Sequence, residues 1–271
     1  MTYTTRDVTI VVCAKNEEAR IGACLASLRD QEARAIVVVD GGSTDATVLI
    51  ALNFGADVRI SHAGNLPTDR QIGADRADTP LVCFIDADHR LAPGDLARLI
   101  GDLERADLDV CQAGIRIAPG SFWNRAESDF LDVTHNVPGE RHMIGVAPTI
   151  FRRGVFARLR FSGQGTPSID DTDFFYRLHR DTPLRTGIGS TVITQAHEGS
   201  WKSYAAKFRW YGRGDGEFCR KHPERARSMW FHLLVRYPLI YPARAIRARR
   251  PRAALYAVAQ GLLRFRALIT S

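Results

Sequence analysis

Short runs of β-branched and apolar residues recur through the first ninety residues, and two of them stop abruptly at an aspartate. Val8 to Cys13 is the first run; Ala35 to Val39 ends at Asp40, and Leu81 to Ile85 ends at Asp86. Runs of this length without polar alternation are the pattern of strands buried on both faces. Helical periodicity lies between them. Ile21, Cys24, Leu25 and Leu28 fall at i, i+3, i+4 and i+7, one face of a helix. Gly41-Gly42-Ser43-Thr44-Asp45 offers good capping residues before a second helix near Thr47 to Phe54. Leu96, Leu99, Ile100 and Leu103 mark another, with Pro93 at its first position. Alternating strand and helix predicts an α/β fold with a mainly parallel sheet and helices on both faces. Ligands of such sheets sit outside the carboxyl ends of the strands, where Asp40 and Asp86 fall.

The alternation breaks down near residue 110. Asp109 to Ile117 reads as a strand, and residues 119–145, rich in Gly, Pro, His and Asn, read as loop. An acidic cluster, Asp170-Asp171-Thr172-Asp173, precedes the apolar pair Phe174-Phe175. With 45% hydrophobic residues the chain is too apolar for disorder. Its five cysteines are scattered without a Cys-x-x-Cys pair, which argues against a zinc ribbon and a disulfide framework and fits a reducing compartment. No apolar signal core follows the N-terminus, so a cytoplasmic location is expected.

Asp86-Ala87-Asp88 places two carboxylates on one side of an extended segment, an arrangement that holds a hard divalent cation with open positions for phosphate. On its own an Asp-x-Asp is common in solvated loops. Asp40 is either the cap of a βα turn or an acceptor for a nucleobase or ribose, and Asn16-Glu17 either a helix cap or a second wall of that pocket. Neither Gly-x-Gly-x-x-Gly nor Gly-Lys-Ser/Thr follows a strand, which argues against dinucleotide binding and P-loop chemistry. Asp171 alone reads first as a helix cap, Arg70 as a solvated helix residue, and His197 as structural.

Taken in order, Cys13-Ala14-Lys15-Asn16-Glu17-Glu18, Val38-Val39-Asp40-Gly41-Gly42-Ser43-Thr44-Asp45 and Phe84-Ile85-Asp86-Ala87-Asp88 resemble the nucleotide-sugar half of glycosyltransferase family 2, inverting enzymes of GT-A (Rossmann-like) fold. Gly41 stands where that family commonly has a second aspartate. Asp170-Asp171-Thr172-Asp173-Phe174-Phe175-Tyr176-Arg177-Leu178 is similar to the family's later acidic segment, with Asp170 replacing its usual glutamate. The resemblance covers about residues 7–215. It implies residues 1–110 as the nucleotide-sugar-binding half and 111–200 as the acceptor-binding and catalytic half, with 201–271 following as a basic, aromatic-rich helical extension. It implies Asp171 as catalytic base, Ala14, Glu17, Asp40, Arg70 and Asp86 around the nucleotide, and Asp88, Asp86 and His197 around Mn²⁺ or Mg²⁺. The donor implied is a nucleoside-diphosphate sugar and the acceptor a hydroxyl of a membrane-linked glycan or a lipid. A polyprenyl-phosphate glycosyl synthase or a non-catalytic nucleotide-sugar binder would share most of these motifs. A sugar-1-phosphate nucleotidyltransferase would want glycines after the first strand that Ala14 to Glu18 lack.

Charge is divided unevenly. Residues 1–200 carry 21 Lys and Arg against 27 acids, residues 201–271 carry 16 against three, and the whole chain has a net charge of +7. Aromatic and basic residues interleave from Trp201 to Phe218, and five arginines between Arg244 and Arg252 precede an eleven-residue apolar run, Ala253 to Leu263. That run is too short to span a bilayer. Two short amphipathic pieces around an arginine cluster suit peripheral attachment to the anionic inner face of a cell membrane, against the plainer reading of a helical cap. Nucleic acid is not an expected partner, since the body is acidic and no nucleic-acid motif appears.

Overall fold

Strand β1 (Val8–Ala14) lies inside the parallel part of the sheet in the computed structural model, which describes residues 2–162, 169–197 and 199–270. It is followed by α1 (Glu18–Arg29), β2 (Ala35–Asp40), α2 (Thr47–Asn53), β3 (Asp57–Ile60), α3 (Leu66–Arg76) and β4 (Leu81–Phe84). β2 and β4 pair with β1 on either side and β3 pairs with β2, all parallel. The register sets Ala14 beside Asp40 and Val11 beside Phe84. The carboxyl ends of three strands therefore open on one edge, with Asp40 and Asp86 on it.

Beyond β4 the sheet changes character. β5 (His89–Arg90), α4 (Asp95–Arg105), β6 (Val110–Ile117), α5 (Phe122–Thr134), β7 (Gly139–Glu140), β8 (Thr149–Arg152), α6 (Gly154–Arg158), α7 (Asp170–Asp181) and β9 (Thr186–Gln195) follow. The strand order is β3-β2-β1-β4-β8-β6-β9-β5, with β7 on β9. β8 runs antiparallel to both β4 and β6, and β5 and β7 run antiparallel to β9. The parallel sheet read from the sequence is thus confined to the first four strands, and the whole is mixed. A buried strand looks alike in either direction, so composition could not reveal this.

The two faces of the sheet are packed separately. Val8, Ile10 and Val12 meet Ile21, Leu25 and Leu28 of α1 and Leu96 and Leu99 of α4. Val11, Val37, Val39 and Phe84 meet Ala74, Phe156, Phe174 and Phe175 on the other face. Alternation along β1 distributes its side chains to both layers, as a doubly covered strand requires. Two local expectations are corrected. α4 begins at Asp95 rather than Pro93, because Gly94 takes φ +79 just before it and Asp95 accepts the Ala92 N–H. Residues 119–145 contain the thirteen-residue α5, whose Ser121 cap accepts from Trp123 and Asn124 and whose inner face carries Ala126 and Phe130.

The chain divides into two compact units. One comprises the described parts of Met1–Gly114, Pro138–Gln164 and Asp170–Gln195; the other comprises those of Ile115–Val137, Gly165–Ile169 and Ala196–Ser271. Residues 111–200, expected as one half of a domain, are thus shared between them, because α5 contributes Ala126 and Phe130 to the helical core. That second unit continues with α8 (Trp201–Lys221), α9 (Ala226–Phe231), a π-helical stretch His232–Ile240, α10 (Tyr241–Arg247) and α11 (Pro251–Ile269). The tail is thus helical, as expected of the basic extension. Tyr204, Phe208, Tyr237 and Tyr256 pack around Phe130 in its core.

Candidate active site

The turn after β2 is built by Asp40. Its buried carboxylate accepts the backbone N–H groups of Gly42 and Ser43, each at 3.0 Å, and the Ser43 hydroxyl. The turn after β1 is tied to it. Asn16 takes φ 55, a left-handed conformation that asparagine tolerates better than most residues, and its Oδ1 accepts from Thr44 N at 2.9 Å. Its own N–H donates to Ser43 Oγ, and Glu17 N–H donates to Thr47 Oγ1 at 2.7 Å. The two loops that follow β1 and β2 thus form one hydrogen-bonded rim.

Ala14 lies beside Asp40 on this rim, its carbonyl accepting from Gly41 N at 2.9 Å. The Glu17 carboxylate pairs with Arg20 at 2.6 Å, and burial raises it, with Asp88 and Asp86 adding to the effect against Arg20. The glycine at position 41 has a local cause. A Cβ there would lie 3.0 Å from Asp69 Oδ2 and 3.6 Å from Lys15 Cβ. The Asp69 carboxylate of α3 thus occupies the space beside Gly41. Asp69 escaped the sequence reading because nothing local marks a helical aspartate as facing a strand end.

Arg70, on the next turn position of α3, is the centre of the site. Its guanidinium is 6% exposed and donates to Asp170 and Asp171, the latter at 2.5 Å, while Asp86 lies 4.0 Å away. One buried cation therefore joins the start of α7 to the loop after β4. The solvated-arginine reading does not describe it. Three carboxylates raise the pKa of the guanidinium against its burial, so Arg70 is charged throughout the working range. Burial pushes the Asp170 carboxyl up against the pull of Arg70, and the like charge of Asp171 adds to the push. Asp171 is the exposed member of the pair, 39% against 6% for Asp170. Its Oδ1 meets Arg70, while its Oδ2 would lie 3.4 Å from a Cβ at Gly145. The absent side chain at Gly145 leaves the approach to that oxygen open. Gln112 holds this glycine by accepting its N–H at 2.9 Å.

Asp86, Asp88 and His89 form a group whose ligand atoms lie within 4.8 Å of one another. Asp88 Oδ2 accepts from Gln195 Nε2 at 2.9 Å, and Asp88 Oδ1 is buried with no partner among the described residues. Desolvation raises the Asp86 carboxyl, with Asp88 and Asp171 adding to it and His89 and Arg70 opposing it. An unsatisfied carboxylate oxygen beside a second, raised carboxylate is a donor set that suits a hard divalent cation. His89 suits it less well. Its Nδ1 accepts the Asp86 N–H at 3.0 Å, so its proton sits on Nε2, which as a ligand would have to lose it.

His197 belongs to a different network, in the helical unit. Its Nε2 lies 3.1 Å from Glu127 and 2.9 Å from the Tyr204 hydroxyl. Glu127 is also reached by Tyr204 at 2.6 Å, Tyr256 at 2.9 Å and Lys207 at 3.1 Å. Burial raises the Glu127 carboxyl, but Lys207, His197 and Tyr204 outweigh it and hold it well below 4.5. Glu198, the residue after His197, lies outside the described residues.

A mixed α/β sheet with acidic residues gathered at the carboxyl ends of its strands defines a GT-A fold. The sequence profile of glycosyl transferase family 2 matches residues 9–178, and the chain belongs to that family. It is 36% identical over 116 residues to uncharacterized glycosyltransferases of Mycobacterium bovis and Mycobacterium tuberculosis, a match covering 43% of this chain and 52% of each relative. The chain thus spans about half the length of the curated relatives it matches. Among solved structures it is similar to Staphylococcus aureus TarS in complex with UDP-GlcNAc, with TM-score 0.56, 16% identity, and coverage of 97% of this chain and 90% of that one. It is also similar to the glucosyl-3-phosphoglycerate synthase of M. tuberculosis solved with Mn²⁺, UDP and glucosyl-3-phosphoglycerate, with TM-score 0.54 and 18% identity over 79% of each chain.

Proposed function

We propose that this protein transfers a sugar from a nucleoside-diphosphate sugar to an acceptor hydroxyl in a single, inverting displacement, with Asp171 as the base. The observation that carries this reading is the Arg70 clamp. It fixes Asp171 next to the Asp86-Ala87-Asp88 segment, so the group that takes a proton and the groups that receive a diphosphate share one edge of the sheet.

Each residue then has a task. The rim of Ala14, Glu17 and Asp40 borders the nucleoside, with Asp69 beside it. Asp88, with Asp86, would hold Mn²⁺ or Mg²⁺. Such a cation neutralises charge on the departing diphosphate. Arg70 orients Asp171 through Oδ1, leaving Oδ2 beside Gly145 to accept the acceptor's proton as the new bond forms. Diphosphate is a good leaving group, so the departing oxygen needs no acid and one base suffices. Two similar structures hold uridine nucleotides, which makes UDP the first donor nucleotide to try. A glycan or lipid-linked glycan acceptor, met by a peripheral protein at the inner face of a cell membrane, agrees with the basic helical unit. His197 has its Nε2 engaged by Glu127 and Tyr204, so in this reading only its Nδ1, buried with no partner among the described residues, is left to serve a metal.

The test is a thermal-shift titration with UDP, GDP, dTDP and CDP, each with and without Mn²⁺. One nucleotide at 100 times its Kd adds about 2.7 kcal/mol of stability. The expected result is stabilisation by one nucleotide that needs the metal and disappears in Asp88→Asn. Absence of stabilisation by every nucleotide overturns the donor site.

A further inference from the structure

Residues 226–269 fold into a helical hairpin whose outer surface is apolar and cationic at once. α9, the π-helical stretch and α10 run one way; α11 returns beside them after the short turn at Ala248 to Arg250. The pairing is antiparallel, since Trp230 stacks edge-on with Phe265 at 5.8 Å and Gly261 lies against Tyr237. A Cβ at Gly261 would come within 2.5 Å of Tyr237 Cβ, which marks the crossing as close. On α11, Gly261, Arg264 and Ala267 face inward, to Tyr237, to Asp215 and to Gly212.

The opposite side of α11 carries Leu255, Leu262 and Ile269, exposed by 50%, 63% and 57%. Their sevenfold spacing places them on one stripe of the helix. Arg266 lies on the same stripe, and it is exposed. The partner helix adds Leu234, Leu239 and Ile246, at 49%, 63% and 65%. Six aliphatic side chains this exposed on two adjacent helices are not the scatter of single apolar residues normal on protein surfaces.

The charge around them has one sign. Of the three acids in residues 201–271, Asp215 is buried and paired with Arg264. Arg227, Arg236, Arg244, Arg247, Arg249 and Arg266 have no carboxylate partner among the described residues. No helix among the described residues is long and apolar enough to cross a membrane.

We infer that this hairpin face docks onto an anionic lipid bilayer, lying in the headgroup region with its leucines in the acyl boundary and its arginines among the phosphates. Charge selects the occupant. A second copy would set arginine-rich faces against each other, which like-charge repulsion disfavours. A nucleic acid would match the charge and could stack on the exposed Trp230 and Phe231 of α9, but it has no use for six exposed leucines and isoleucines, which an acyl boundary takes together with both aromatics. An anionic bilayer satisfies both halves of the pattern. The inference is independent of the sugar-transfer reading.

The experiment is co-sedimentation of the full chain with vesicles of phosphatidylcholine alone and of phosphatidylcholine mixed with phosphatidylglycerol. The expected result is sedimentation with the anionic vesicles only, weakened by added salt. Leu255→Glu with Leu262→Glu should lower the bound fraction at least tenfold. Both substitutions are on the surface, and an unchanged circular dichroism melt shows that the helices persist. A wild-type chain that stays in solution with anionic vesicles overturns the inference. So does binding without preference for the anionic vesicles, or a double variant that binds as well as wild type. A gel shift on duplex DNA at concentrations where the anionic vesicles bind nothing would assign the face to nucleic acid instead.

Discussion

Arg70 shows how one side chain can organise a site and also threaten its stability. Asp170 is nearly fully buried, and the guanidinium lying against it opposes the rise that burial imposes on its carboxyl. Replacing Arg70 by methionine keeps the volume but leaves a buried carboxylate unpaired, which costs about 3–5 kcal/mol. For a chain of this size the melting temperature should fall by on the order of ten degrees, read by calorimetry at neutral pH. Asp171→Asn tests something else. The amide is close to isosteric and Arg70 still meets an oxygen, so nucleotide binding should be retained while transfer to a hydroxyl acceptor falls by about 10²–10⁴-fold. A variant that keeps most of its activity would point to an acceptor already ionised, such as a lipid phosphate. Gly41 belongs to the same scale. The departure from the family pattern at this position is legible in the sequence, but its cause is a carboxylate 28 residues away at Asp69.

Among the elements, α3 is the one on which the site depends most closely, since it carries both Asp69 and Arg70. Its distance from the sheet is set by Gly73, where a Cβ would lie 2.2 Å from Val11 Cγ1. Gly73→Ala must push the helix away from β1 or force Val11 off its rotamer, at a cost of about 1–3 kcal/mol. The same shift moves Arg70 relative to α7, so nucleotide-dependent stabilisation and transfer rate should fall with the melting temperature. A melt and an activity assay on the one variant check both. β1, β2, β4, α1 and α2 could be read from the sequence because burial on both faces, capping residues and helical periodicity are local signals, whereas the short β3 was not read. α5 was hidden by its composition, although Ser121 is a good cap. The antiparallel strands were hidden because register is a long-range property: β8 reaches β4 across more than sixty residues. The site divides along the same line. Asp40, Asp86, Asp88, Arg70 and Asp171 could be nominated one at a time, whereas Gln195 on Asp88 and Glu127 on His197 connect residues too distant in sequence to be paired by pattern.

The whole molecule joins an acidic sheet-bearing unit to a basic helical one, and the helical unit is sensitive to acid at an identifiable residue. Glu127 is buried and takes contacts from His197, Tyr204, Lys207 and Tyr256, a set that binds the carboxylate and not the acid. Its pKa in the folded chain is therefore held well below the ordinary 4.5 that the unfolded chain shows. The unfolded state binds the proton more readily, so the stability from this residue is fully present above about pH 4.5. It is lost progressively as the pH falls below that value toward the folded pKa. Lowering the pH should melt the helical unit earlier than neutral conditions do, with the loss setting in below the ordinary carboxylate range. Glu127→Gln removes the ionisable group. The variant should be destabilised at pH 7, because Lys207 loses its buried counter-charge, yet the gap between variant and wild type should narrow as the pH is lowered through 4. Far-ultraviolet circular dichroism melts at a series of pH values measure that gap directly. A gap that stays constant across the series would mean that Glu127 contributes packing alone.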